Sequence, residues 1–253
     1  MGVLDLKSLR DADGQLRLSK EHINMLALRC IADYNPEALK TPMPVMAEEI
    51  AEIHLGYDLR YEYLTHNESI LGTIAFNAGT IPVYDPKRHD VKYINVKAKT
   101  MLFDRALTSQ RGRAEFSIAH EVGHAVMHPP GIVDYGNING IITCRNTAAE
   151  LNVSMPNFSR VTPLGRREWQ ADYFAACLKL PKIPVITYAR ECLRKEGHGM
   201  GIVRVMNKND YKLAELLWTK TANFFVTSNQ AARIRLQELQ IIRGLNQDNG
   251  FKR

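Results

Sequence analysis

The spacing of apolar residues along the chain changes twice and separates helical segments from extended ones. Over residues 19–34 apolar side chains recur every three or four positions, which predicts a helix capped by Ser19. The proline-rich stretch 36–44 ends this helix and is the best candidate for a boundary. We therefore expect an N-terminal helical extension over residues 1–44 and a main domain over residues 45–253.

The spacing of apolar residues changes from that of a helix to that of a strand shortly after this boundary. A second helix is predicted near residues 45–55, with Ile50 and Ile53 facing inward and Gly56 ending it. In residues 57–63, tyrosine and leucine then alternate with charged residues. An alternation of this kind is typical of a strand with one buried face.

More strands are predicted at the next apolar runs, which are residues 70–76, 81–84 and Val91 to Val96. The last two form a hairpin across residues 85–90. Lys92 and Lys97 place the final strand near a solvated edge, because charged side chains discourage further strand pairing there.

Helical spacing returns after Thr108. A stripe of apolar residues predicts a helix that ends at Pro129, whereas residues 129–167 show no clear period and form a long loop. Thr227 and Gln230 fit a capping box before the last helix. The remaining helices are predicted near residues 166–180, 210–224 and 229–242. The order of helices, four strands and helices indicates an α+β fold with additional C-terminal helices.

Composition narrows the class of protein. The chain has 253 residues, 45% hydrophobic and 24% charged, a balance typical of soluble globular proteins. No apolar run is long enough for a membrane span and the N-terminus resembles no signal peptide, so we expect a cytoplasmic protein without a membrane partner. The net charge of +6 suggests nucleic acid, but the basic residues are scattered and direct binding is not expected. No C-x-x-C pair is present, which excludes a thiolate zinc finger.

The sequence His120-Glu121-Val122-Gly123-His124 carries the clearest chemistry. Histidines at i and i+4 lie on one face of a helix, about 6 Å apart along its axis, so both rings can bind one zinc ion. Glu121 lies about 100° further round the helix, where it can miss the metal and still reach a water molecule beside it. The motif therefore predicts a metal, a water nucleophile and a general base, although a helix with exposed histidines is the alternative.

A catalytic zinc ion needs a third protein ligand. His128 lies about 12 Å along the helix from the first histidine, which is too far for one ion, and the position six residues beyond the second histidine is Pro130. Glu168 is the remaining candidate, and Asp172 lies on the same helical face, where it can accept a hydrogen bond from a ligand histidine. Two solvated acids on a surface helix remain the alternative.

The two motifs together resemble the ImmA/IrrE family of zinc metallo-endopeptidases. The pattern H-E-x-G-H at residues 120–124 is followed by E-x-x-A-D-x-F-A-A-x-L-x-x-P at residues 168–181. Residues 113–119 are similar to the family's stretch before the first ligand, and residues 225–228 and 235–236 are similar to its closing helical element. The likeness covers about residues 45–242.

The resemblance implies a zincin-like fold, in which a small twisted sheet packs on the active-site helix. It implies zinc ligands at His120, His124 and Glu168, and Glu121 as the catalytic acid/base. Val91 to Val96 would be the edge strand that aligns a peptide. The partner would be a protein substrate, and a helix-turn-helix transcriptional repressor is one candidate because several relatives act on such repressors.

Two functions follow from these observations. The first is a zinc endopeptidase that hydrolyses an intracellular protein. The alternative is a regulatory protein or DNA-binding module with a structural or vestigial zinc site. Three arginines of the C-terminal segment are its candidate DNA contacts: Arg233, Arg235 and Arg243.

The sequence also leaves smaller parts of the site open. Cys144, in the long loop, is a weak candidate for a thiolate that covers the zinc. Three polar residues are candidates for stabilising an oxyanion, and the sequence does not choose among them: Tyr135, Tyr173 and His198. The substrate, the cleavage site and the oligomeric state are not determined.

Overall fold

Both helices and strands are present in the parts of the chain that the computed structural model describes, which are residues 5–12, 14–133, 143–147 and 162–245. The helices are α1 (Lys20–Tyr34), α2 (Ala47–Glu49), α3 (Arg111–Met127), α4 (Pro163–Lys179), α5 (Lys182–Lys195), α6 (Lys208–Phe224) and α7 (Asn229–Glu238). The strands are β1 (Asp58–Glu62), β2 (Ile70–Ala75), β3 (Gly79–Asp85), β4 (Asp90–Val96), β5 (Thr100–Asp104), β6 (Thr143–Thr147), β7 (Val203–Arg204) and β8 (Ile242–Arg243). This mixture confirms the α+β class. None of the described helices is both long and apolar enough to cross a bilayer.

Four strands form the main sheet, in the order β1-β5-β2-β6. Strand β1 runs parallel to β5, whereas β2 runs antiparallel to both of its neighbours. Strand β5 was not predicted, because its five residues are all buried and therefore show no alternation. Strand β6 was not predicted either; it lies within the predicted long loop and pairs with β2.

The predicted hairpin is confirmed, but its place in the fold differs from the prediction. Val91 to Val96 lies in β4, which pairs with β3 in a two-stranded sheet outside the main sheet. The expectation that this strand is the edge of the sheet against the active-site helix was therefore wrong. The physical reason is that the apolar face of the hairpin covers one face of the main sheet, where Val83 and Val96 share a cluster with Leu102.

The N-terminal helix and the two long central helices share one hydrophobic core. Ile23 and Ile31 of α1 belong to the same buried cluster as Ile118 of α3, and as Phe174 and Leu178 of α4. The cluster also reaches the inner face of the main sheet. The proposed boundary at residue 44 therefore does not separate two hydrophobic cores.

A second core lies among the C-terminal helices, and it includes a helix that the sequence pattern does not predict. Helix α5 begins directly after Pro181, where the sequence predicts only the end of the helix near residues 166–180. Pro181 is the N-cap of α5 and Pro184 lies in its first turn, where proline is tolerated because the N–H groups have no intrahelical partner. Val185 and Leu193 of α5 pack with residues of α6 and α7.

Two helix ends differ from the predictions. The helix near residues 45–55 continues from α2 as a π-helical turn, Ile50–His54, and its wider turn leaves Ile53 75% exposed rather than inward. The last helix is capped by Ser228, whose side chain accepts from the N–H of Ala231, and not by Thr227. It ends at Glu238 because the chain then turns into a positive φ at position 240.

Candidate metal centre

Helices α3 and α4 lie very close together at the point where the predicted site falls. A Cβ atom added at Gly123 would lie 3.2 Å from the Cα of Ala171 and 3.2 Å from a ring carbon of Phe174. Glycine on one helix and alanine on the other thus allow the two backbones to approach. This contact brings Glu168 of α4 opposite the two histidines of α3.

The three residues predicted as metal ligands meet in the structure. The Nε2 atoms of His120 and His124 are 3.0 Å apart. The carboxylate oxygens of Glu168 lie 3.1 Å from the first of these nitrogens and 3.5 Å from the second. All three side chains are buried. Among the described residues they form a cluster of donor atoms within 4.8 Å of one another.

These separations fit a tetrahedral zinc ion. Ligand bonds of about 2.0–2.1 Å place neighbouring ligand atoms about 3.3 Å apart, and the three observed separations bracket that value. Catalytic zinc sites also use this donor set, which consists of two imidazole nitrogens and one carboxylate. The residues present therefore fit the ion, with a fourth position left for water or substrate.

Glu121 lies beside the cluster and differs from the ligands in its contacts. It is fully buried, yet among the described residues neither carboxylate oxygen has a hydrogen-bond partner. Burial raises the pKa of Glu121 to about 8. Burying a carboxyl group without a hydrogen-bond partner costs free energy of folding. A partner that binds when the site is in use would account for this arrangement. The charges of His120 and Glu168 act on Glu121, which lies next to the cluster of donor atoms without belonging to it.

Asp172 makes the contact predicted for it. The Nδ1–H of His120 donates to Oδ1 of Asp172 at 2.7 Å, which turns the Nε2 atom toward the cluster. Burial disfavours the charged ring, but Asp172 and Glu168 outweigh it and raise the pKa of His120 well above its ordinary value. Burial likewise opposes the charged form of Glu168, but the two histidines lower the pKa of that carboxyl.

His128 is not in the ligand cluster, in agreement with the geometric argument from the sequence. Its Nδ1 atom lies 3.0 Å from Nδ1 of His124, and its Nε2 atom lies 2.8 Å from Oε1 of Gln170. The amide nitrogen of Gln170 in turn donates to the carbonyl of Leu16 at 3.0 Å. Neither Gln170 nor Leu16 was predicted as part of the site, because no sequence signal marks either of them.

The structure gives two of the candidate oxyanion residues other contacts. Tyr173 stacks on Trp169, and its hydroxyl interacts with Glu238 of α7. His198 follows α5, where a ring nitrogen lies 2.8 Å from the carbonyl of Ile202. The third candidate, Tyr135, and the side chain of Cys144 lie outside what the structure describes.

One of the candidate DNA contacts has a structural role instead. Arg235 is almost completely buried, and its guanidinium group donates to the carbonyl of Leu180 at 3.0 Å and to Glu238 at 2.7 Å. Arg233 lies over the ring of Trp218. Arg243 donates to the carbonyl of Gln240. Arg235 is therefore not placed at a surface that DNA could reach, and the DNA-binding alternative loses one of its three candidate contacts.

The fold is α+β, and its buried His-His-Glu cluster is a donor set that metal-dependent hydrolases also use; the adjoining acid has no hydrogen-bond partner among the described residues. Comparison with family models gives the more specific class. The model of the IrrE N-terminal-like domain, a metallopeptidase family, matches residues 86–236, which is more than half of the chain, and the chain belongs to this family. The resemblance seen in the sequence is thereby confirmed. Comparison with curated proteins finds no match.

Proposed function

We propose that this protein is a zinc endopeptidase of zincin-like architecture that hydrolyses a peptide bond in an intracellular protein. One observation carries the proposal: the buried carboxyl group of Glu121, without a hydrogen-bond partner among the described residues, adjoins three converging ligand atoms. Its position supports a role that a structural metal site would not need. The match to a peptidase family supports the same reaction type.

Each residue of the site has a distinct task in this mechanism. His120, His124 and Glu168 would hold the zinc ion, and Asp172 keeps the ring of His120 oriented. A bound zinc ion supplies Lewis-acid activation of a water molecule and of the peptide carbonyl. Glu121 accepts the proton of the attacking water and then delivers it to the leaving amine. Burial raises the pKa of Glu121 to about 8 in the absence of a metal ion, and the charge of a bound zinc ion would lower it toward neutral pH, where the group can both take up and release a proton.

The main sheet offers a strand for aligning a substrate peptide. Strand β2 lies against the site, because Gly72 on this strand adjoins the carboxylate of Glu121. Strand β6 borders β2 and is the outer strand on that side of the sheet, as far as the described residues show. We propose that the substrate pairs with the outer edge of β6, in place of Val91 to Val96. A helix-turn-helix repressor remains a candidate substrate.

The zinc ligands are tested by metal content. Purified wild-type protein is expected to hold about one zinc ion, and His120→Ala and Glu168→Ala are expected to lose it, because two ligands bind a catalytic zinc ion poorly. His66→Ala, which removes an exposed histidine, is the matched control and should retain the metal. Full metal content in both ligand variants would contradict the site.

The role of Glu121 is tested by the nearly isosteric variant Glu121→Gln. This variant should bind zinc as the wild type does but should lose cleavage, because it lacks the general base and keeps every ligand. New protein N-termini in cells expressing wild type, Glu121→Gln or the exposed control Glu52→Gln would both measure cleavage and identify the substrate. Equal cleavage by Glu121→Gln and the wild type would exclude the mechanism.

A further inference from the structure

The two histidines of the motif are oriented by different neighbours. His120 donates its Nδ1–H to the carboxylate of Asp172, which is an acceptor only. His124 has the corresponding nitrogen 3.0 Å from the Nδ1 atom of His128, which is either a donor or an acceptor. The orientation of His124 therefore depends on which ring nitrogen of His128 carries the proton.

A chain of buried hydrogen bonds fixes this proton. The carbonyl of Leu16 can only accept, so the amide nitrogen of Gln170 faces it and the amide oxygen faces His128. That oxygen also only accepts, so the Nε2 atom of His128, 2.8 Å away, carries a proton. Two N–H groups cannot face each other across the 3.0 Å between the Nδ1 atoms of His128 and His124; with the ring proton of His128 on Nε2, its Nδ1 atom accepts from His124.

We propose that His128 and Gln170 are positioning residues that hold His124 in its Nδ1–H tautomer, with the polarity of the chain set by the backbone carbonyl of Leu16. This inference rests on the proposed function, because it assigns these residues a task at the same metal site. In this tautomer the Nε2 lone pair of His124 faces Glu168 and the ring of His120. The opposite tautomer would place a proton where the metal binds.

The proposal also gives the N-terminal segment a part in the site. Leu16 lies 154 positions before Gln170 in the chain and precedes the family match at residues 86–236. Its side chain belongs to the buried core that α3 and α4 share, which holds the carbonyl in place. Residues outside the matched region therefore help to define the metal ligand.

The tautomers can be measured directly in the wild-type protein. Long-range proton–nitrogen NMR correlations of the full-length chain, with zinc and after chelation, should show His124 protonated at Nδ1 and His128 protonated at Nε2. Zinc should bind His124 through Nε2. A proton on Nδ1 of His128, or on Nε2 of His124 in the zinc-free protein, would overturn the proposal. This measurement needs no variant, so it stands even if a substitution prevents folding.

The variant Gln170→Met removes the side-chain amide that gives the hydrogen-bond chain its direction, and it keeps the side-chain volume nearly constant. A second tautomer of His124 should then appear, and the zinc dissociation constant, measured by chelator competition, should rise about 10- to 100-fold. Thr221→Val is the matched control, because it removes another buried hydrogen bond, from Thr221 to the carbonyl of Leu217, outside the site. It should change neither the tautomer nor the zinc affinity.

The possible failures have different signatures. If Gln170→Met keeps both the His124 tautomer and the zinc affinity of the wild type, the positioning role is wrong, whatever the enzyme does. If both variants weaken zinc binding equally, the effect is one of general stability and the proposal also fails. If the tautomers are as stated but no protein is cleaved, the endopeptidase proposal fails while the positioning chain stands.

Discussion

Gly72 shows how a single residue type defines the space around the proposed catalytic acid. A Cβ atom at this position on β2 would lie 2.7 Å from Oε1 of Glu121 and 3.3 Å from a ring carbon of Phe103. The first distance is shorter than any ordinary contact, so the absence of a side chain at Gly72 is what lets the strand lie against the carboxylate. The nearest atom belongs to the mobile end of Glu121, which can move aside at low cost in stability.

We therefore expect Gly72→Ala to reduce kcat and to change stability little. Displacement of a general base by about 1 Å can cost up to about 100-fold in rate. Zinc content should remain that of the wild type, because the ligands do not move. Gly199→Ala is the control, because among the described residues no atom beyond its chain neighbours lies within 4 Å of the added Cβ, and it should be fully active. Wild-type kcat in Gly72→Ala would show that the position of the Glu121 carboxylate against β2 does not matter for catalysis.

At the scale of elements, a buried ion pair joins the two site helices to α2. Lys179, at the end of α4, contacts Glu115 of α3 at 2.7 Å and also donates to the carbonyl of Val45. The same carboxylate oxygen accepts from the N–H of Ala47, at the start of α2. Burial lowers the pKa of Lys179, although Glu115 opposes the shift. Each charge is thus held by the other and by backbone groups.

Removal of one partner of this pair should be strongly destabilising. We expect Lys179→Met to lower the free energy of unfolding by about 3–5 kcal/mol, because it leaves a buried carboxylate without its counter-charge. Denaturant unfolding measures this directly. The exposed helical pair of Lys195 and Glu191 supplies the control, since Lys195→Met should leave stability essentially unchanged. Equal effects of the two substitutions would contradict the role of the buried pair.

At the scale of the whole molecule, the N-terminal helix is packed into the core that supports the metal centre. Ile23 is fully buried in the cluster that contains Phe174 and Leu178 of α4. A separate extension would instead bury its apolar residues against itself. We infer that residues 14–44 and the family-matched region unfold together.

The variant Ile23→Ala tests this inference. It should destabilise the whole protein by about 2–5 kcal/mol, the usual effect of truncating a fully buried isoleucine, within a single cooperative transition. Ile53→Ala is matched in chemistry but removes a side chain that is 75% exposed, so it should have little effect. A separate minor transition that alone responds to Ile23→Ala would show that the N-terminal segment is an independent unit.

Much of the local structure could be predicted from the sequence, because it depends on neighbours in the chain. The apolar period located α1, α3 and α4, and the spacing of His120 and His124 placed both rings on one helical face. Helices and strands were predicted wrongly where a local sequence pattern is compatible with two structures. Pro181 ends one helix and also begins the next, and the fully buried strand β5 has no alternation to detect.

The sequence by itself determined the helix that carries the two histidines and the acid between them, because an i, i+4 spacing fixes a shared face in any α-helix. Only the tertiary structure decided what stands opposite that face. The approach of α4 at Gly123 places Glu168 among the ligand atoms, and the packing of the N-terminal segment brings Leu16 to Gln170. Such contacts join residues that lie tens of positions apart, and they depend on how whole elements pack rather than on any pattern within one of them.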